Sequence, residues 1–184
     1  GTLAPRRWAL GLQCEAVRGT RPRQSRAYGA RQKGYWTTPF CRTLKVNSRI
    51  SLRRACDTDL QSLRAIYADA VQSVGPIAYS PDQVEVWRAF AGEAHFAAFI
   101  LRNNTYLAVI DDQVVGFCGV ADDGHVVSIH VRPGWFGQGI GSWLLSAALE
   151  LHPEPISDRY YAEASIFSLP LFERFGFRLT GSER

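Results

Sequence analysis

The chain has 184 residues, which is enough for one domain with a sizeable hydrophobic core. Its hydrophobic fraction of 46% and charged fraction of 21% are ordinary for a water-soluble globular protein. No apolar run approaches the ~18 residues of a membrane span, and the four cysteines form no CxxC pair, so we expect neither a membrane partner nor a zinc or disulfide framework. A reduced, cytoplasmic compartment is the expectation that follows.

The net charge of +4 is divided unevenly along the chain. Residues 1–49 carry 11 Lys or Arg and a single acid, Glu15, whereas residues 50–184 carry 10 Lys or Arg and 16 Asp or Glu. A basic head with a net charge of +10 therefore precedes an acidic body with a net charge of −6. An acidic body attracts cationic partners and disfavours nucleic acid.

The head, residues 1–49, shows no sustained apolar period and is rich in Arg, Gly, Ser and Pro. Such a composition buries too little apolar surface to offset the entropy lost on ordering. Three interpretations stay open: a nucleic-acid or membrane-surface arm, a transit peptide, and a disordered extension. The chain contains no Met, and we expect a disordered extension outside the folded domain.

The body, residues 50–184, predicts elements in the order β, α, α, β, β, β, α, β, α, β. The predicted strands are 50–55, 105–110, 114–120, 125–131, 160–164 and 177–181. The predicted helices start at an Asp57 N-cap, at a Ser80–Gln83 capping box with a break at Gly92, at 140 and at 168. Consecutive hairpins followed by strand–helix–strand units indicate a mixed α+β fold with helices on both faces of the sheet.

One stretch, FGQGIGSWLL (136–145), lies between a predicted strand and a predicted helix. Its glycines, Gly137, Gly139 and Gly141, let a backbone approach a ligand closely, and a helix start offers free N–H groups to a phosphate. A tight turn with close helix packing is the alternative. The chain has no Lys after Lys45, so a P-loop is excluded, and Ser142 stands where the dinucleotide fingerprint needs Gly or Ala.

The segment HVRPGWFGQGIGSWLL (130–145) resembles the acetyl-CoA loop of the GCN5-related N-acetyltransferases. That loop follows a strand ending in V-x-P and reads Gln/Arg-x-x-Gly-x-Gly/Ala; here Phe136 stands at the Gln/Arg position. A second segment, EASIFSLPLFERFGF (163–177), resembles the family's next strand and helix. Ser165 stands there at an Asn position and Phe172 at a Tyr position. More weakly, AYSPDQVEVW (78–87) is similar to the first-helix region of a bacterial subgroup of small acetyltransferases.

The resemblance implies a mostly antiparallel twisted sheet, splayed in its middle by a bulge, with acetyl-CoA as the co-substrate in the gap. Backbone groups of one strand would hold the thioester and pantetheine, and the loop N–H groups would hold the pyrophosphate. The expected cofactor-binding residues are Ile129, Val131, Phe136, Gly137, Gln138, Gly139, Ile140, Gly141, Ser142, Ser165 and Phe172. The family fold closes with a further strand beside the last one, which we expect to be missing here.

The resemblance also implies direct attack of an amine on the thioester, helped by a general base. Glu163 and His130 are the two candidates, and each also has a purely structural interpretation. Phe172 cannot donate a proton as the family's Tyr does, which leaves solvent, Ser165 or Tyr161 as the acid. Tyr79 and Trp87 are expected to line the acceptor site, and His125 to be solvated near a turn.

The leading functional hypothesis is an acetyl-CoA-dependent N-acetyltransferase acting on a small cationic amine or a basic peptide. A non-catalytic acyl-CoA-binding domain and a nucleic-acid-binding protein that works through its basic head are the alternatives. No metal is expected, and a homodimer stays open.

Overall fold

The computed structural model describes residues 12–17, 44–47, 50–152, 155 and 158–182. Within these residues the strands are β1 Leu12–Val17, β2 Leu44–Asn47, β3 Ile50–Arg54, β4 Asn104–Ile110, β5 Gln113–Val120, β6 Val126–Val131, β7 Arg159–Ala164 and β8 Arg178–Ser182. The α-helices are α1 Leu60–Val74, α2 Pro81–Phe90, α3 Phe96–Leu101, α4 Ile140–Leu151 and α5 Leu169–Arg174. The predicted elements of the body are thereby confirmed, with boundary shifts of a few residues.

A five-stranded sheet in the order β2-β3-β4-β5-β6 is antiparallel throughout. Its β4–β5 hairpin turns on Asp111 and Asp112, whose φ angles are +48° and +62°. Aspartate tolerates this left-handed region better than most residues, and two such residues form the turn that matches the twist of a hairpin. Gln113, which we placed in the turn, already belongs to β5.

The helix starts follow local capping chemistry, with one correction. The Ser80–Gln83 capping box at α2 is confirmed, since each side chain bonds the backbone N–H of the other residue, at 3.3 and 2.9 Å. The cap predicted at Asp57 is wrong, because a 3-10 turn occupies Asp57–Asp59 before α1. The Asp59 carboxylate accepts the Cys56 N–H at 2.9 Å and pairs with Arg53 at 2.6 Å.

A second sheet has the order β7-β1-β8, and β1 is antiparallel to both neighbours. Leu12 lies opposite Ala164 on one side and opposite Ser182 on the other. The expectation of a disordered head is therefore wrong for β1 and β2; the rest of residues 1–49 lies outside the described residues. The expectation that β8 lacks a neighbouring strand is also wrong, because β1 occupies that position.

Two apolar clusters lie on opposite faces of the five-stranded sheet. On one face, α4 and α5 pack over Val115, Cys118 and the second sheet. On the other face, α1, α2 and α3 pack over Val114 and Phe117. Because side chains alternate along a strand, β5 contributes to both clusters and is buried over nearly its whole length.

The two sheets meet between β6 and β7, which run parallel. They are linked by a single bridge, His125 to Tyr161, and by the Tyr161 N–H, which donates to the Gly124 carbonyl at 3.1 Å. Gly124 has a φ of +93°, and a Cβ there would lie 2.2 Å from the Arg159 carbonyl, so only glycine permits this approach. Further along β6, Val127 is an extra residue with no partner on β5, and this bulge marks the splay that the family resemblance implied.

Candidate active site

One wall of the gap between the sheets is the free edge of β6. The Arg132 N–H donates to the Val115 carbonyl at 2.7 Å, which fixes the direction of alternate backbone groups along β6. In an antiparallel ladder the intervening residues point their N–H and C=O groups the other way. Ile129 and Val131, which face Cys118 and Gly116 across the ladder, therefore direct their backbone groups away from β5 and towards the gap.

The glycine loop continues this wall. Gly137 and Gly139 have φ angles of +74° and +81°, and a Cβ on either would meet no atom within 4 Å. Glycine is thus favoured at both positions by the left-handed backbone conformation and not by crowding around the Cβ position. Gly139 is the N-cap of α4, and its carbonyl accepts the Trp143 N–H at 3.0 Å.

The loop presents a run of unused donors. Within the described part of the chain, the six consecutive backbone N–H groups from Gly137 to Ser142 find no acceptor. They stand at the positive end of the α4 dipole, and no acidic residue lies in the first turn of that helix. Such a cradle suits a diphosphate group.

The side chains of the loop add little to the cradle. Gln138 donates from Nε2 to the Gly134 carbonyl at 3.3 Å, so it braces the loop from within. Phe136 is 40% exposed and brings no hydrogen-bonding group. Ile140 is buried against the core, and a Cβ added at Gly141 would lie 3.6 Å from Leu171, an ordinary contact.

Two of the residues placed by family resemblance are occupied elsewhere. The Ser165 hydroxyl accepts the Ser168 N–H at 3.1 Å in the turn that leads into α5. Phe172 is 2% exposed and packs edge-on against Phe177, with ring centroids 5.0 Å apart. Phe172 is therefore a core residue in this conformation, and its predicted contact with the cofactor stays a prediction.

On the opposite wall of the gap, Glu163 of β7 pairs with His125, which directly precedes β6, and the sequence did not reveal this pair. The His125 Nε2 and Glu163 Oε2 atoms are 2.5 Å apart, and the two side chains are 25% and 43% exposed. The hydrogen bond from His125 outweighs the effect of burial and holds the pKa of Glu163 below its usual range. Glu163 is thus ionised at neutral pH. The expectation that His125 is merely solvated is wrong.

Tyr161 positions this pair through ring stacking on His125 and a hydrogen bond to Asp123. Its ring stacks on the His125 ring with centroids 4.5 Å apart and planes 6° from parallel. Its hydroxyl donates to Asp123 Oδ2 at 2.7 Å, while Asp123 Oδ1 accepts the His125 N–H at 3.0 Å. Burial raises the pKa of Asp123, but these hydrogen bonds outweigh it and the net shift is downward. Burial and the bond to Asp123 raise the pKa of Tyr161, which works against a role for Tyr161 as the acid.

His130, the other candidate base, lies in an apolar setting. Its ring is 4.6 Å from the Tyr67 ring and 5.2 Å from the Phe117 ring, between centroids. Burial lowers the pKa of His130 to about 4, so the ring is neutral and a weak proton acceptor. His130 is half-buried and packs on the α1 side of β6 against the Tyr67 and Phe117 rings.

The predicted acceptor-lining residues come together beside the loop that follows β7. Tyr79 and Trp87 have ring centroids 4.6 Å apart, and Phe167 lies 6.2 Å from Tyr79. The Tyr79 hydroxyl accepts the Ile166 N–H at 3.0 Å. This bond ties the segment between α1 and α2 to the β7–α5 loop, and Ile166 remains 49% exposed.

A sheet that opens between two parallel strands, with unpaired N–H groups at the start of the next helix, is the arrangement that the resemblance to the acetyltransferases implied. The sequence profile described as "Acetyltransferase (GNAT) domain" matches residues 77–184, more than half of the sequence. The chain therefore belongs to the GNAT acetyltransferase family.

Individual proteins agree with this assignment. The uncharacterized N-acetyltransferase YafP of Escherichia coli (strain K12) is 29% identical over 137 residues, which is 74% of this chain and 87% of that protein. A GCN5-related N-acetyltransferase structure from Rhodopseudomonas palustris is 28% identical with a TM-score of 0.54, covering 59% of this chain and 68% of that one. The PaiA N-acetyltransferase of Thermoplasma acidophilum, solved with coenzyme A, shares the fold at 20% identity and a TM-score of 0.50, over 55% of this chain and 70% of that one.

Among the residues that the structure covers, no helix is both long and apolar enough to span a membrane. The residue that sequence reasoning missed is His125, whose partner lies 38 positions further along the chain. The signal for this pair was Gly124. A glycine with positive φ beside the start of β6 leaves room for the backbone of β7 to approach there.

Proposed function

We propose that this protein transfers the acetyl group of acetyl-CoA to a primary amine by direct attack of the amine on the thioester. The observation that carries the proposal is the row of unused N–H groups from Gly137 to Ser142 at the start of α4, next to the free edge of β6. Membership in an acetyltransferase family supports acetyl as the transferred group. A solved structure of the same fold contains coenzyme A, which supports the proposed donor.

Backbone groups would do most of the cofactor binding. The loop N–H groups would bind the pyrophosphate, and the free backbone groups of Ile129 and Val131 would bind the pantetheine arm and the thioester carbonyl. The two positive-φ glycines keep the cradle in place. A hydrogen bond to the thioester carbonyl stabilises the negative charge that develops on its oxygen during attack.

The acceptor would be a small cationic amine or a basic peptide. The wall opposite the loop presents Asp123 and Glu163, and the body as a whole carries a net charge of −6, which steers cations towards it. Tyr79 and Trp87 would contact the carbon chain of the acceptor, because their rings stand beside the β7–α5 loop.

Glu163 is the better-supported base. It is ionised, partly exposed and on the strand that borders the gap, whereas His130 is neutral and enclosed by aromatic rings. An amine must lose a proton before it attacks, so a base within reach of the amine, directly or through one water, is needed. Solvent would protonate the departing thiolate, because Phe172 cannot.

The first test is calorimetric titration of acetyl-CoA into the full chain, since β1 belongs to the fold. Two variants, Gly139→Asp and Gly139→Asn, are matched in size and in tolerance of the left-handed φ of +81° at this position. We expect Asp to weaken binding by about 100-fold, since a like charge ~5 Å from the pyrophosphate costs about 3 kcal/mol at an effective dielectric constant of ~20. Asn should stay within about fivefold of the parent.

Equal binding by the two variants would remove the loop from the cofactor site. Acetyl transfer is then measured by mass spectrometry of N-acetylated product with spermidine, 1,4-diaminobutane and a lysine-rich peptide as acceptors. Binding without any product would favour the alternative of a non-catalytic acyl-CoA-binding domain, for which the apolar Phe172 at the family's Tyr position speaks.

A further inference from the structure

We propose that His125 is a positioning residue for Glu163, holding its carboxylate at the point where β6 and β7 separate so that it can take the proton of the acceptor amine. The inference rests on the proposed N-acetyltransferase function and extends it to a residue outside the loop and strand edge that bind the acyl donor. Its basis is the set of contacts that fix the His125 backbone, one face of its ring and one ring nitrogen.

The backbone of His125 is held first. Its N–H donates to Asp123 Oδ1 at 3.0 Å, and its carbonyl accepts the Ala121 N–H at 2.8 Å. It also forms the single bridge to Tyr161 on β7. The Cα of His125 is therefore held between the end of β5 and β7, at the closed end of the gap.

The ring of His125 is held next. Stacking on Tyr161 sets its plane, and the Tyr161 hydroxyl is itself anchored on Asp123 at 2.7 Å. One ring nitrogen, Nε2, then meets Glu163 Oε2 at 2.5 Å. Because Glu163 is ionised, Nε2 must be the donor in this pair, and the bond occupies Oε2 while Oε1 stays outside it.

The nearest charged neighbours of the pair, Asp123 and Glu15, have partners of their own, although the Asp123 charge also acts on Glu163 and raises its pKa. Asp123 is engaged by Tyr161 and by the His125 backbone. On β1, Glu15 lies opposite Tyr161 and is paired with Arg159 at 3.3 Å. The Asp123–Tyr161–His125–Glu163 series therefore ends in the Glu163 carboxylate, on the strand that borders the gap.

The proton balance of the reaction is simple. The acceptor ammonium gives one proton to Glu163, the free amine attacks the thioester carbon, and the new C–N bond forms as the C–S bond breaks. The remaining excess proton on nitrogen passes through solvent to the departing thiolate, and Glu163 returns its proton to solvent. His125 keeps its own proton throughout and acts through the carboxylate that it orients.

The test compares three variants of the full chain with spermidine as acceptor, or the lysine-rich peptide if only that is acetylated. His125→Ala removes the donor and should lower kcat about 10- to 100-fold while leaving the Kd of acetyl-CoA unchanged. His125→Gln restores an N–H donor and should recover most of the loss. His95→Ala is the matched control, because His95 forms a similar pair with Glu93 at 3.0 Å on the surface and should have no effect.

The pH profile supplies a readout that a purely structural role would not move. His125 holds the pKa of Glu163 down, so His125→Ala should shift the acid limb of kcat/KM to higher pH, and His125→Gln should shift it back. Unchanged kcat and an unchanged acid limb in His125→Ala would overturn the inference alone. Acetyl-CoA binding by the parent chain with no acetylated product would instead overturn the proposed function, and the inference with it.

Discussion

The two walls of the gap are built from different parts of the polypeptide. The β6 wall and its glycine loop present main-chain groups, and their side chains either pack into the core or brace the loop. The β7 wall presents the side chains of Tyr161 and Glu163, which Asp123 and His125 from the turn before β6 contact through hydrogen bonds and ring stacking. A main-chain wall tolerates changes of side chain as long as φ and ψ are kept, whereas a side-chain wall depends on each residue type.

The largest expected effect concerns the support of the β7 wall by β1. Cys14 is fully buried in β1, with its Sγ 3.5 Å from the Ala162 carbonyl. Cys14→Asp places a charge in this apolar layer and should lower the free energy of unfolding by about 3–5 kcal/mol. The matched variant Cys14→Ser should cost about 1 kcal/mol. Urea unfolding monitored by tryptophan fluorescence measures both.

Equal stability of Cys14→Asp and Cys14→Ser would show that β1 is not held between β7 and β8 in solution. The β7 wall would then be less fixed than the β6 wall, and the comparison between them would fail.

A smaller effect is expected from a side chain of the β6 wall that takes no part in binding. The unfolded chain protonates His130 near the ordinary pKa of 6.5, whereas burial lowers its pKa to about 4 in the folded chain. Between these values only the unfolded state binds the proton, so stability falls as the pH drops through this window. We expect a loss of about 2 kcal/mol from pH 7 to pH 5 that is absent in His130→Phe.

Urea titrations of both proteins at the two pH values measure the difference, which cancels contributions from other groups. A wild-type loss no larger than that of the variant would contradict burial of a neutral ring at this position. Acetyl-CoA affinity at pH 7 should be the same for both proteins, because a phenylalanine ring keeps the aromatic contacts of the neutral His130 ring.

The smallest expected effect is a gain. Phe136 is 40% exposed beside the N–H cradle, and a guanidinium there could reach the pyrophosphate. Phe136→Arg should tighten acetyl-CoA binding by about 1 kcal/mol, roughly fivefold, as a charge-assisted hydrogen bond at an exposed position does. Phe136→Ala should change affinity by less than about twofold. If the alanine variant lost affinity, the loop would be binding acetyl-CoA through the Phe136 side chain, and the β6 wall would not bind through main-chain groups alone.

Strands β3 to β6 and the helices could be predicted because their signals are local, whereas β2, the edge strand of the same sheet, was not predicted. The Ser80–Gln83 capping box, the glycine turn before α4 and the short hairpins all involve residues close in sequence. The β6 wall could be predicted for the same reason, since its conformation is encoded by glycines within the loop itself.

The second sheet and the side-chain contacts of the site could not be predicted, because they join residues that are far apart in the sequence. Cys14 contacts Ala162 across 148 positions, and nothing within LQCEAV indicates which strands it will join. His125 and Glu163 lie on separate strands that approach only because Gly124 permits it. Burial of His130 likewise follows from how α1 packs and not from the alternation of β6. Side-chain chemistry at the site was therefore the least predictable part.

The position of β1 has a consequence for the order of folding events. The middle strand of the second sheet is synthesised before both of its neighbours, with Leu12 made long before Ala164 and Ser182. At about 5–20 residues per second, β1 waits on the order of ten seconds or more for a partner on the ribosome. The five-stranded sheet can form during that interval from nearby hairpins, whereas the second sheet requires closure of a long loop. A nascent chain would thus have its diphosphate cradle in place before the strand that carries Glu163 is locked beside it.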